Sequence, residues 1–134
     1  MSPSIKRIGI LTGGGDCPGL NAVIRAVTLA LHNECKARVT GIERGFHGLL
    51  NRQSRPLGPH DVGGILAEGG TILGTHNTCN PFKDIDGADH SADAMAYVRE
   101  LGLDALVAIG GDGTMTIAHK FEAMGLPVVG VPKT

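Results

Sequence analysis

Two glycine clusters constrain this chain more than any other feature of its sequence. Gly13-Gly14-Gly15-Asp16-Cys17-Pro18-Gly19 follows the apolar run Ile8-Gly9-Ile10-Leu11. Gly110-Gly111-Asp112-Gly113 follows Ala105-Leu106-Val107-Ala108-Ile109. Each run is long enough for a buried strand and too short for a helix. Beyond each cluster, apolar residues recur at helical spacing: Leu20, Val23, Ile24, Val27 and Leu31 in the first case, Ile117, Ala118, Phe121 and Met124 in the second. A strand that turns through glycine into a helix is the building unit of a parallel α/β sheet.

The rest of the chain follows the same alternation. Arg38–Ile42 and Pro127–Val131 read as further strands. Ala94, Tyr97, Val98 and Leu101 share one face of a helix starting at Ser91, with Gly102 as its C-cap and Gly125 stopping the helix that carries Phe121. Val62, Ile65 and Leu66 predict a short helix closed by Gly69-Gly70, and Thr71-Ile72-Leu73 a brief strand. The stretch from Glu43 to Pro59 predicts an irregular excursion. Because the strands are continuous apolar runs, the expected fold is a doubly wound, mostly parallel, Rossmann-like α/β sheet with helices on both faces. At 134 residues it forms one domain.

Composition narrows the function. With 42% hydrophobic and 19% charged residues the chain is not disordered. Twelve basic against thirteen acidic residues argue against a nucleic-acid or anionic-membrane binder. Cys17, Cys35 and Cys79 give neither a disulfide framework nor a Cys-x-x-Cys metal pattern. His76 and Cys79 lack the second pair a zinc site needs. The N-terminus lacks the long apolar run of a signal peptide and nothing is long enough to span a bilayer, so a cytoplasmic setting is expected.

In an open α/β sheet the strand-to-helix turns meet at the carboxyl edge of the strands, where ligands bind. Helix N-termini there present unpaired N–H groups, and glycine lets a phosphate approach the backbone. The common phosphate motifs do not fit, however. Gly13 and Gly15 match the start of G-x-G-x-x-G, but Pro18 stands at the third glycine. Gly14 and Gly19 have Walker A spacing, but Leu20-Asn21 replace its Lys-Ser/Thr.

The segment Leu11 to Arg25 resembles the first signature of the 6-phosphofructokinases, and Ile109-Gly-Gly-Asp-Gly-Thr114 resembles their nucleotide-phosphate and magnesium turn. Gly69-Gly-Thr-Ile-Leu-Gly-Thr75 and Val129-Gly-Val-Pro-Lys-Thr134 match in order. The Gly-Gly-Asp-Gly-Thr element alone is shared with NAD kinases and diacylglycerol kinases; the four together are specific. The resemblance implies transfer of the ATP γ-phosphoryl group to the 1-hydroxyl of fructose 6-phosphate, in glycolysis. It implies that Gly15, Gly111, Asp112, Gly113 and Thr114, with Thr78 and Cys79, bind the donor. It assigns Mg2+ to Asp112 and a first sugar contact to Thr134. Gly113 leaves room for the α-phosphate of ATP, where pyrophosphate users typically carry Asp. Lys133 is more usual in pyrophosphate users, so a pyrophosphate-dependent enzyme is the alternative.

Three departures qualify the resemblance. No arginine lies in the loop around Asn77, where the family often carries one. Arg25 matches an effector-site arginine, but Leu29 stands where its companion belongs. The carboxylate that acts as base on the sugar hydroxyl is expected beyond Thr134. The chain is therefore expected to be the N-terminal nucleotide-binding lobe, residues 1–134, of a protein more than twice as long and commonly dimeric or tetrameric. It is expected to be inactive alone. A non-catalytic nucleotide-binding module is the reading from another class.

Overall fold

The apolar runs form the strands expected of them. The strands are β1 (Arg7–Thr12), β2 (Arg38–Ile42), β3 (Ser54–Leu57), β4 (Ala105–Gly110) and β5 (Val128–Pro132). They lie in the order β3-β2-β1-β4-β5. The architecture comes from a computed structural model that describes residues 7–13, 19–65, 71–75, 80–83 and 87–132. β2, β1, β4 and β5 run parallel, with Ile8 opposite both Val39 and Ala105; β3 runs antiparallel to β2. Strand order departs from β1 in opposite directions toward β2 and β4. The carboxyl ends of β1 and β4 therefore flank the topological switch point, the place where such sheets bind ligands.

Side-chain alternation sorts the core into two layers. Ile8 and Ile10 of β1 join Ala105, Val107 and Ile109 of β4 beneath α1 (Leu20–Cys35) and α3 (Pro59–Val62). Leu11, Leu106 and Ala108 face the other way. They meet α2 (Phe46–Asn51), α4 (Ser91–Leu101) and α5 (Asp112–Ala123). Phe121 is fully buried there, its ring 5.7 Å from that of Phe46 and 4.9 Å from that of Phe82. Burying one such side chain contributes roughly 1.5–3 kcal/mol. Gly102 caps α4 at φ 68°, donating to the carbonyls of Arg99 and Val98, and Gly125 ends α5 at φ 102°, both as expected. Lys83 and Arg99 are exposed.

Several expectations are corrected. The stretch from Glu43 to Pro59 is not irregular: it holds α2 and β3. Two turns of helix are too short to show a periodicity. β3 carries Pro56, which an edge strand tolerates because its missing N–H costs no ladder bond. Thr71–Leu73 form a turn rather than a strand. The helix expected over Val62 to Leu66 is the single turn α3, after which Ile65 is buried beyond a further turn; Leu66 to Gly70 lie outside the described residues. Met124 is 42% exposed rather than on the buried face of α5, because the helix ends at Ala123. Helices lie on both faces of the sheet as expected, but among the described residues Val129 of β5, opposite Val107, is 60% exposed, since α1 and α3 lie toward β2 and β3.

Candidate functional site

Three turns converge on the carboxyl end of β1. The first is its own: the Gly13 N–H donates to Ile109 O at 2.8 Å, tying the end of β1 to the end of β4. The second is Gly110 to Thr114, which opens α5. The third is the loop 71–75. Thr12, fully buried, donates its hydroxyl to Gly74 O at 3.0 Å and lies 3.0 Å from Thr71 Oγ1. Ile72 N–H donates to Asn21 Oδ1 at 2.7 Å, and Arg44 N–H to Leu73 O at 2.8 Å. A segment without regular structure is thus held to β1, α1 and the end of β2.

The glycines of the site divide into two kinds. A Cβ on Gly110 would lie 2.7 Å from Thr114 Cβ, and one on Gly13 would lie 3.0 Å from Thr114 Cγ2. Thr114 is buried and fills the space that those two residues leave, locking the β1 and β4 turns together. Gly111 and Gly113 are different. A Cβ at either would meet nothing within 4 Å, and neither has a positive φ. Nothing among the described residues requires glycine at these two positions.

Both helices at this edge start without a side-chain cap. α5 follows Gly111 and α1 follows Gly19, which takes φ 94°. Among the described residues, the N–H groups of each first turn therefore lack the usual Ser, Thr, Asp or Asn acceptor at the N-cap, and the positive end of each helix dipole faces the carboxyl edge. Asp112 occupies the first position of α5. Its carboxylate is exposed and has no hydrogen-bond or ion-pair partner among the described residues.

The structure therefore brings Gly111, Asp112, Gly113 and Thr114 together in one turn beside Gly13 and places Thr114 as packing within it. Gly15, Asp16, Cys17, His76, Thr78, Cys79, Lys133 and Thr134 lie outside the described residues. No group of three or more His, Cys, Asp or Glu suited to a metal occurs among the described residues. Among those residues, too, no helix is long and apolar enough to cross a membrane.

The sequence reading missed Thr12, Asn21 and Thr71, the polar residues that hold the 71–75 loop. Buried Asn21 and Thr28 bracket Ile24 at helical spacing, a signal that one α1 face carries polar groups inward. It also missed Arg44, a non-glycine residue at φ 59° directly before Gly45 at φ 61°. The left-handed conformation costs an ordinary residue about 1–2 kcal/mol.

A doubly wound sheet whose two uncapped helix starts and glycine turns meet at the switch point defines an α/β protein with a candidate ligand site at the carboxyl edge of its strands. The family model described as Phosphofructokinase matches residues 7–134. The chain belongs to the phosphofructokinase family. It is 49% identical over 128 residues to a pyrophosphate–fructose 6-phosphate 1-phosphotransferase of Amycolatopsis methanolica, covering 96% of this chain and 36% of that protein. It is 47% identical to ATP-dependent 6-phosphofructokinase 2 of Clostridium perfringens, covering all of this chain and 39% of that protein. The phosphofructokinase of Saccharomyces cerevisiae superposes with a TM-score of 0.79 at 30% identity, over 96% of this chain and 20% of that one. The chain thus spans less than two fifths of the length of these curated relatives.

Proposed function

We propose that residues 1–134 are the N-terminal, donor-binding lobe of a cytoplasmic ATP-dependent 6-phosphofructokinase, which makes fructose 1,6-bisphosphate from fructose 6-phosphate. The observation that carries this reading is the pair Gly111 and Gly113. Neither backbone angle nor packing calls for glycine there, yet both stand at an uncapped helix start on the ligand edge of the sheet. A phosphate lying against the backbone accounts for them. Gly13 and Gly110 accommodate Thr114 and so set the turn's shape. Gly15, Thr78 and Cys79 would complete the donor contacts.

The exposed, unpartnered Asp112 suits Mg2+, a hard cation held by one or two carboxylates plus phosphate oxygens and water. A metal bound there would neutralise donor phosphate charge. Backbone N–H groups of the first turn of α5 would orient the phosphates, and positioning with charge neutralisation is most of what phosphoryl transfer needs. The base on the sugar hydroxyl and the remaining sugar contacts would come from beyond Thr134, itself the first sugar contact. The complete enzyme would be a dimer or tetramer.

Pyrophosphate is the second reading. Lys133 favours it, and a relative named for that donor is as similar as those named for ATP. Gly113 favours ATP. The test is product formation by the full-length protein with each donor in turn, for the native sequence and for Asp112→Ala. ATP-driven fructose 1,6-bisphosphate synthesis that Asp112→Ala abolishes supports the reading. Product from pyrophosphate alone selects the second. Near-native turnover by Asp112→Ala removes Asp112 from the site.

A further inference from the structure

A cleft of about 380 Å³ opens between the end of β2 and the 71–75 loop, lined by Glu43, Arg44, Gln53 and Thr71 to Gly74. It adjoins the donor turn through Gly45, whose Cβ position lies 2.9 Å from Thr12 O and 3.5 Å from Gly13 Cα. Among the described residues, two arginines border this region. Arg55 is engaged: Nη2 donates to Ile72 O at 2.9 Å, and Nε lies 3.6 Å from Glu43 Oε1. Arg44 is not. It is exposed, and its guanidinium has no hydrogen bond or ion pair among the described residues.

The placement of Arg44 is tightly determined even so. Its backbone N–H is bonded to Leu73 O, and its Cγ lies 3.6 Å from the Cβ position of Gly74. The base of the stem thus packs across Gly74, whose carbonyl accepts the hydroxyl of Thr12, the last residue of β1. The fold holds Arg44 at φ 59°, directly before Gly45 at φ 61°, so the chain turns through two successive positive φ values with a non-glycine residue at the first. Glu43, the acidic neighbour on the cleft, is directed to Arg55 instead. An unpaired guanidinium on a backbone anchored beside the proposed phosphate turn is matched to an anionic oxygen, which it can bind through two parallel hydrogen bonds.

We propose that Arg44 is a donor-binding residue: its guanidinium contacts the phosphate oxygens of the phosphoryl donor from the β2 side, opposite the turn Gly111–Thr114. The inference rests on the donor-site reading above.

The test uses the full-length protein, with ATP and with pyrophosphate in the presence of magnesium. Arg44→Asn tolerates the left-handed backbone and removes the charge, and Arg44→Lys keeps the charge but not the fork. Loss of a charge-assisted contact is expected to raise the donor KM and the equilibrium Kd of the donor about tenfold or more in Arg44→Asn. Arg44→Lys should fall between, and the fructose 6-phosphate KM should stay within about twofold, since a uniform donor contact acts on donor binding. Thermal unfolding of both variants within a few degrees of the native protein shows that the turn survives. Native donor Kd in a folded Arg44→Asn overturns this inference and leaves the donor-site reading standing. Absence of donor binding by the native protein overturns both.

Discussion

Replacing Gly113 by Asp separates what the protein needs at that position from what its ligand needs. The added Cβ meets nothing within 4 Å, and the backbone is already helical. Asp is a few tenths of a kcal/mol better than Gly inside a helix, and an acid in the first turn gains about 0.3–1 kcal/mol from the dipole. Repulsion from the neighbouring Asp112 offsets a similar amount in solvent. Folding stability should therefore change by less than about 1 kcal/mol, or a few degrees in Tm for a domain of this size. The donor is affected differently. A carboxylate about 5 Å from a phosphate charge at an effective dielectric near 20 costs roughly 3 kcal/mol. That corresponds to about a hundredfold loss in kcat/KM for ATP. Pyrophosphate, with no α-phosphate and nucleoside to crowd, should lose less. Steady-state kinetics with both donors on the full-length protein, together with a thermal melt, measure both effects. A large drop in Tm with unchanged donor preference would refute the reasoning, because Gly113 would then serve the fold.

Two further substitutions test the packing that shapes the site. Gly13→Ala drives its Cβ into Thr114, so it should destabilise by about 1–3 kcal/mol and impair donor binding together; denaturant melts beside donor titrations check it. Phe121→Ala empties a fully buried site between Phe46 and Phe82, so it should cost about 3–5 kcal/mol in urea unfolding; a loss below 1 kcal/mol would contradict the packing described.

The strands and helices that carry the switch point were legible because each is a buried apolar run or a long amphipathic stripe. β4 is buried along its whole length, and the Ile8 to Leu11 run lies at the sheet's centre. α2 and β3 were not legible. In α2 only Phe46 and Leu49 are buried apolar side chains, and β3 offers Leu57 alone beside a proline. Thr71 to Leu73 of the 71–75 loop read as a strand because Ile72 and Leu73 are apolar. What fixes it instead is hydrogen bonds donated by the Thr12 hydroxyl and the Arg44 N–H and one accepted by Asn21 Oδ1, from residues far away in sequence.

Within the site, the family resemblance implies that four adjacent residues, Gly111 to Thr114, form one phosphate cradle. The structure gives them different physical settings. Thr114 is packing that Gly13 and Gly110 make room for, while Gly111 and Gly113 border open space beside the free carboxylate of Asp112. Periodicity and motif spacing carry no information on which glycine faces a side chain and which faces solvent. Arg44 escaped for a related reason: a left-handed turn and an unpaired guanidinium are properties of three-dimensional placement.

The most direct test of the account is the position of the donor in a crystal structure of the full-length protein with ATP and magnesium. The account predicts the phosphates against the backbone of Gly111 to Thr114, with magnesium on the Asp112 side. Phosphates bound anywhere else, with this turn facing bulk solvent, would contradict it.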